Sequence, residues 1–398
     1  MVFFRPKIKF ALLSLLLIVF LLIGLSSQKS IHAGEPTIVI TDLYHPYQDD
    51  DDNFDLVMGY ALPEIDLKAV ILDVTEPFRK PVADDPDFYS DSGGPRAAGI
   101  IPVMQLNYIF NRQVPFAVGP FNQMNDPGDK MLDIPGFQQQ GVHLLLQTLE
   151  KSEQPVSILS FGSARILAVA LNRNPYLMKN KIKMIHLNAG RAHPEKHRLG
   201  NVDDQPREWN VRLDVHGFVR LLRSNLPVSI YPCLGEQSPG QYNTFWELKS
   251  LDFIGQMEPE LRRYMDYLYR KRKRLDFLRF MDVGELAGVK QIRRYYPEKS
   301  HLWTTESWLQ VAGRILVKKN GSEFHIVSKK QLQRNDTVIS GKLIPVSLSV
   351  KDDGTFVFSE TSGKTNFKIY KRVDPVLNQK AFNVALPNLY KSFKTGDS

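Results

Sequence analysis

The chain has 398 residues, 43% of them hydrophobic and 24% charged, enough for a large core and unlike a disordered or collagen-like polypeptide. Its formal charge of +8 is partly a terminal effect: Arg5, Lys7, Lys9 and Lys29 lie in the first 33 residues with no acid, and the remainder carries +4. The single cysteine, Cys233, excludes an internal disulfide and gives no spaced partner for a thiolate metal site, so an inert buried thiol is expected beside Pro232.

Arg5, Lys7 and Lys9 precede the charge-free stretch Phe10 to Leu25, and Ser30-Ile31-His32-Ala33-Gly34 follows as a small-residue exit. That is the anatomy of a secretory signal, with cleavage expected near Ala33. The apolar run is slightly shorter than the about 20 residues of a membrane span, though tilting or thinning would let it stay as an uncleaved anchor. Export to a periplasm or outside the cell is expected, with membrane contact only through that segment.

Thr37-Ile38-Val39-Ile40 reads as a first strand, Phe54 to Met58 as a helix, and Ile65 to Asp73 as a second strand after the helix stop Pro63-Glu64, which makes a βαβ unit. Thr75 to Pro95 is a long loop rich in Pro, Asp, Gly and Ser; Ser92-Gly93-Gly94-Pro95 lacks the Gly-Lys-Ser/Thr of a phosphate loop. Ala97 to Phe110 predicts a helix, Val114 to Gly119 a strand and Phe137 to Leu149 an amphipathic helix. Val156 to Ser160, Lys183 to Leu187 and Val228 to Tyr231 continue the strands, with helices from Ser163 and from Leu213 to Arg223 between them. Short apolar runs between helices predict a Rossmann-like, mostly parallel sheet with helices on both faces.

Leu251 to Phe280 reads as mostly helical. Its run Arg270-Lys271-Arg272-Lys273-Arg274 lacks interleaved aromatics and a wider basic stripe, so a solvated helix face is preferred and no nucleic-acid partner is expected. Between Ile315 and Val373 the segments alternate like strands, with Asp353-Gly354 as a hairpin turn and a helix from Leu377 to Phe393 behind them. The expected organisation is a signal peptide or anchor at 1–33, an α/β domain at 36–310, and a small antiparallel β-rich extension with a closing helix at 311–398.

Asp42, Asp49, Asp50, Asp51 and Asp52 crowd the mouth of the first strand. Composition alone fits a solvated acidic loop as well as a metal site. The position adds weight to the second, because open parallel sheets bind ligands beyond the carboxyl ends of their strands. Adjacent acids there repel one another unless a cation or a helix N-terminus stabilises them.

Ile38-Val39-Ile40-Thr41-Asp42, Asp51-Asp52, Pro63-Glu64-Ile65-Asp66-Leu67 and Ala69-Val70-Ile71 resemble the opening of the inosine-uridine preferring nucleoside hydrolase family: a strand, D-x-D-P-G-x-D-D, a helix, P-E-I-E-L and another strand. Pro155 to Ser163, Met184 to Gly190 and Arg207-Glu208-Trp209-Asn210-Val211-Arg212-Leu213-Asp214 resemble its later strand ends and its A-E-F-N-x-x-x-D segment. The resemblance covers about Thr37 to Gly235. It departs where the loop before Asp51 is longer and carries His45-Pro46-Tyr47-Gln48 in place of Pro-Gly.

The resemblance implies hydrolysis of the N-glycosidic bond of a ribonucleoside or related small-molecule glycoside, with calcium as the metal. It implies metal ligation by Asp42, Asp49, Asp52 and the Phe161 carbonyl, with either Asp42 or Asp49 as the base. Ribose contacts would come from Asp51, Asn188, Asn201, Glu208 and Asn210. The family's late His-Asp pair has its counterpart at His301-Leu302-Trp303-Thr304-Thr305-Glu306, where no Asp follows the histidine. Thr304, Thr305, Glu306 or water would then complete the shell, while His301 could protonate the leaving base or be structural. Two alternatives stand beside this reading: a non-catalytic nucleoside-binding protein with a degraded metal site, and a metal-dependent hydrolase of another substrate. A homo-oligomer is compatible with either.

Overall fold

The computed structural model describes residues 34–80, 96–193, 198–199, 207–233, 240–270 and 276–396. The signal-like segment, the 81–95 loop, Asn201 and the basic run beyond Arg270 lie outside the described residues. In chain order, β1 (Glu35–Thr41) leads through the short β2 (Tyr44–His45) to α1 (Asp51–Ala61) and β3 (Ile65–Leu72). Next come β4 (Ala97–Ala98), α2 (Ile100–Ile109), β5 (Phe116–Val118), α3 (Gly136–Lys151) and β6 (Val156–Ser160). Then follow α4 (Arg165–Arg173), α5 (Pro175–Lys181), β7 (Ile182–Asn188), β8 (Ala192–His193) and β9 (Arg198–Leu199).

The second half holds α6 (Trp209–Leu213), α7 (Val215–Leu222), β10 (Val228–Tyr231), β11 (Trp246–Leu248), α8 (Pro259–Arg270), α9 (Arg279–Val283) and α10 (Val289–Tyr295). It continues with β12 (Ser300–Leu302), α11 (Thr305–Val311), β13 (Arg314–Lys319), β14 (Glu323–Ser328) and β15 (Thr337–Val338). The chain closes with β16 (Lys342–Val350), β17 (Phe356–Glu360), β18 (Phe367–Lys371) and α12 (Pro375–Ser392).

The main sheet has 11 strands in the order β5-β3-β1-β6-β7-β10-β18-β16-β17-β9-β8. Pairing is parallel from β5 to β18 and antiparallel beyond it. Alternate side chains along the central strands enter different cores, as a pleat requires. Val39, Val70 and Leu159 pack with Phe54 of α1, Leu106 of α2 and Phe382 of α12. Ile38, Ile40, Ile71 and Ile158 pack with Leu145 of α3, Ile166 of α4 and Phe218 of α7. Each such buried side chain contributes about 1.5–3 kcal/mol relative to leaving it in water, which is why these strands read as unbroken apolar runs.

The C-terminal segment is woven into this sheet. Strand β18 lies parallel to β10, with Val228 opposite Phe367, and β16 then pairs back against it. The expected hairpin is present, with Val350 opposite Phe356 and Gly354 at φ +84°, a left-handed turn that suits glycine. Its outer strand β17 pairs with β9. Helix α12 returns to the first βαβ unit, where Tyr390 Oη donates to the Phe54 carbonyl at 2.7 Å. Residues Glu35–Ser398 form one compact unit, with no separation at 310/311. The three-stranded sheet β14-β13-β15 stands apart from the main sheet.

Candidate functional site

The carboxyl ends of β1, β6 and β7 open on one cavity of about 260 Å³. Asp42 follows β1 directly, and Asp51 and Asp52 begin α1. The segment between them is held by β2 pairing with β4, and the His45–Pro46 peptide bond is cis. Asp50 is drawn away, accepting from Tyr269 Oη at 2.6 Å and Ser300 Oγ at 2.9 Å. Asp42, Asp49, Asp51 and Asp52 all face the cavity, as does Phe161.

Close approach of these segments depends on Gly162. A Cβ there would meet Asp73 Oδ2 at 2.8 Å and Asp42 Cβ at 3.2 Å. Thr41 Oγ1 donates to Asp52 Oδ1 at 3.0 Å and accepts from the Leu43 amide at 3.2 Å, tying the strand end to the helix start. Burial, then Asp73 and Asp49, push Asp42 well above the usual carboxylate range, against a hydrogen bond from Trp209. Burial and Asp52 do the same to Asp51, and burial and Asp42 to Asp52, where Thr41 opposes the rise. Asp49 reaches solvent but is set deep among protein atoms; burial raises it while Lys80, His301 and Arg96 pull it down. Behind them Asp55, one turn along α1 and 2% exposed, is pushed up to about 8 by burial, with Thr304 working the other way.

The far wall comes from β7 and α6. Glu208 caps α6: Oε1 accepts from the Asn210 amide at 3.0 Å, and Oε2 accepts from Gly190 at 2.8 Å and Val211 at 3.2 Å. Asn210 Nδ2 donates to the Phe161 carbonyl at 3.0 Å and the Asn188 carbonyl at 2.7 Å. With both amide protons used, its side-chain oxygen is the group it can offer a ligand. Asn188 joins β7 to the late helix, donating to the Trp303 carbonyl at 3.0 Å and accepting from Ser307 Oγ at 2.8 Å. Asn188, Glu208 and Asn210 therefore carry structural bonds as well as facing the cavity.

The late segment contributes Trp303 and Thr304 to the lining and no acid. Glu306 turns the other way: Oε1 accepts from the Gly341 amide at 3.4 Å, and Asn378 and Tyr370 lie beside it. Thr305 is engaged too, accepting from Trp246 Nε1 at 3.0 Å. His301 stands outside the lining on β12, opposite Glu247 and edge-on to Phe245. Its Nε2 is 3.7 Å from Glu247 Oε2, and its charge reaches Asp49.

Thr304, a candidate to complete a metal shell, and Trp209, within the 207–214 segment, do line the cavity, and Arg191, Cys233 and Trp303, to which no sequence motif assigned a role there, line it with them. Below it, Arg165 is fully buried and donates through Nη2 to Asp73 Oδ1 at 2.6 Å, the Val74 carbonyl at 2.9 Å and Thr75 Oγ1 at 3.0 Å. Asp73 ends β3 as Asp42 ends β1, and that shared strand-end position was the available signal.

An all-oxygen donor set of crowded carboxylates with a backbone carbonyl suits a hard cation such as calcium. Among the described residues no three His, Cys, Asp or Glu side chains meet closely enough to hold an ion alone, so the Phe161 carbonyl and water would have to share its ligation.

The class defined by fold and site is an α/β protein with an acidic cavity at the carboxyl ends of a parallel sheet. No protein-family model and no curated protein matches the sequence. Among solved structures, an inosine-uridine preferring nucleoside hydrolase from Bacillus anthracis is 14% identical at a TM-score of 0.41, covering 87% of this chain and 97% of its own. A plant nucleoside hydrolase is 14% identical at 0.48, covering 88% and 98%, and a purine-preferring ribonucleoside hydrolase from Gardnerella vaginalis is 14% identical at 0.44, covering 90% and 99%.

Proposed function

We propose that the acidic cavity is the active site of a hydrolase that cleaves the N-glycosidic bond of a ribonucleoside or related glycoside. The observation that carries this reading is the convergence of Asp42, Asp49, Asp51 and Asp52 with Phe161 and Asn210 on one cavity. At about 260 Å³ it is close to the lower end of the roughly 300–1,000 Å³ typical of small-molecule sites. Two of Asp42, Asp49 and Asp52, with the Phe161 carbonyl and water, would hold calcium, which when bound supplies a Lewis acid for the vicinal hydroxyls and lowers the pKa of a water.

The chain's own groups do the rest. Asp42 or Asp49 takes the proton of the attacking water. Asp51, Glu208 and the Asn210 side-chain oxygen hold ribose hydroxyls, with Asn188 fixing the wall behind them. The negative charge of the cavity stabilises the oxocarbenium-like transition state as the bond to the base breaks. Trp209 and Trp303 flank the leaving base, and His301, whose charge reaches Asp49, is the candidate to protonate it.

A second reading, a non-catalytic ribose-binding protein, is favoured by Glu306, whose carboxyl is turned from the cavity. The test is ribose release from a nucleoside panel by the purified protein, with and without calcium, beside Asp52→Ala. Calcium-dependent release that Asp52→Ala abolishes is expected. Nucleoside binding without release would establish the second reading instead, and absence of both release and calcium binding by calorimetry would remove the hydrolase.

A further inference from the structure

The cavity lining also includes a cation, whose charge reaches Glu208. Arg191 lines it beside Glu208, and Arg191 Nε is buried with no hydrogen-bond partner among the described residues. Such a donor is costly to leave unmade. Arg191 and Glu208 also line a small separate pocket with Arg207, and Arg207 in turn lines a second cavity of about 460 Å³ with Arg212 and His216. The two cavities share a wall: Arg212 lies 5.6 Å from the ring centres of both Phe78 and Trp209, and Trp209 faces the acids.

The acids of the second cavity are committed elsewhere. Asp214 accepts from the Gly217 and Met124 amides at 2.8 and 2.9 Å and lies 3.7 Å from Arg165. Asp352 is 2.7 Å from Arg223. Among the described residues neither Arg207 nor Arg212 is held in an ion pair, although the charge of Arg207 reaches Asp353. A row of arginines thus begins at the rim of an acidic site and continues away from it.

We propose that this row receives an anionic group on the ligand of the acidic cavity, making its preferred ligand a phosphomonoester-bearing riboside, such as a nucleoside 5′-monophosphate, rather than a neutral nucleoside. This rests on the reading that the acids hold the ribose diol. The acids repel a phosphate placed among them, whereas guanidinium forks match phosphate oxygens. The diol and the phosphate of one ligand therefore point to opposite sides of the site.

The experiment compares ribose release from a nucleoside and from its 5′-monophosphate, and calorimetric binding of ribose, ribose 5-phosphate and inorganic phosphate, at fixed ionic strength. Wild type, Arg207→Gln and the double variant Arg207→Gln/Arg212→Gln are tested after matching their melting temperatures and circular dichroism. The expected result is a kcat/KM for the monophosphate about tenfold or more above the nucleoside, falling towards equality in the double variant, with Arg207→Gln intermediate. Equal handling of both ligands by wild type, an unchanged preference in the variants, or inorganic phosphate binding as tightly as ribose 5-phosphate overturns the proposal. If no riboside is cleaved but ribose 5-phosphate still binds at least tenfold tighter than ribose in an arginine-dependent way, the hydrolase reading falls and the anionic-ligand proposal stands.

Discussion

Two neighbouring strands end in aspartate, and the fold treats the two ends differently. Asp73 after β3 meets Arg165 Nη2 at 2.6 Å and the Ser163 amide at 2.6 Å, with both side chains closed off from solvent. Asp42 after β1 has no ion-pair partner among the described residues and shares a cavity with Asp49, Asp51 and Asp52. A buried acid matched by an arginine holds a fold in one arrangement. Acids left facing a cavity raise one another's pKa and await either protons or a cation, which is what a binding site requires.

Removing Arg165 should therefore cost more than removing any cavity acid. Arg165→Met strands Asp73 and Asp214 without a counter-charge, and loss of one partner of a buried pair typically costs about 3–5 kcal/mol. Asp52→Asn should instead leave the calcium-free protein as stable as wild type or more so, by about 0.5–2 kcal/mol, since it relieves repulsion. Urea unfolding in a chelator reads both; equal destabilisation would erase the distinction between the two strand ends.

Activity should divide the cavity acids further. Whichever of Asp42 and Asp49 is the base should lose about 10²–10⁴-fold in kcat on conversion to Asn. The other, if only a ligand, should lose less at saturating calcium. Matched losses at every calcium concentration would assign neither.

Much of the scaffold was legible because burial on both faces leaves short apolar runs, as in Val156 to Ser160, whose residues are all buried. The acid cluster was legible because it directly follows such a run. What stayed hidden depends on partners far apart in the chain. Arg165 and Asp73 are 92 positions apart, and nothing local marks them as a pair. Strand β18 looked like the next strand of an antiparallel extension, yet Phe367 pairs in parallel with Val228 and extends the main sheet. Glu306 could have faced either way, since the rotation of α11 is set by Ser307 bonding to Asn188 and Trp246 bonding to Thr305.

The contrast between matched and unmatched acids also predicts a pH dependence. Asp55 has a folded pKa of about 8 against about 3.8 for an ordinary aspartate. Its contribution to stability is present below the unfolded value and lost as pH rises towards 8. His45 and His186, lowered by burial to about 4 and about 3, work the other way, losing stability as pH falls below about 6.5. In a chelator, Asp55→Asn should therefore show a shallower decline between pH 4 and 8 than wild type, the remainder coming from Asp42, Asp51 and Asp52, while keeping the acid-side fall. Parallel pH profiles for the two proteins would show that Asp55 ionises normally.

Glu208 tests whether a single carboxylate can serve the fold and the ligand together. Glu208→Ala should cost about 0.5–2 kcal/mol, the usual range for a lost helix cap, because three backbone amides lose their acceptor. Glu208→Gln keeps an oxygen for the cap, so its stability should stay nearer wild type while KM rises. A Gln variant with wild-type KM would leave Glu208 a cap alone.

The smallest effect is expected at His301, because β12 holds it against Glu247 and outside the cavity lining. If its influence is confined to the charge it lends Asp49, His301→Gln should lower kcat/KM by less than about tenfold, or about 1.4 kcal/mol, and leave the pH profile's shape intact. A histidine that protonates the leaving base behaves differently. Its loss should cost about 10²-fold or more with a poor leaving group, much less with an activated one such as a nitrophenyl riboside, and should remove one limb of the profile. The ratio of the two substrates' losses therefore separates an electrostatic neighbour of Asp49 from a proton donor, even where the total loss is modest.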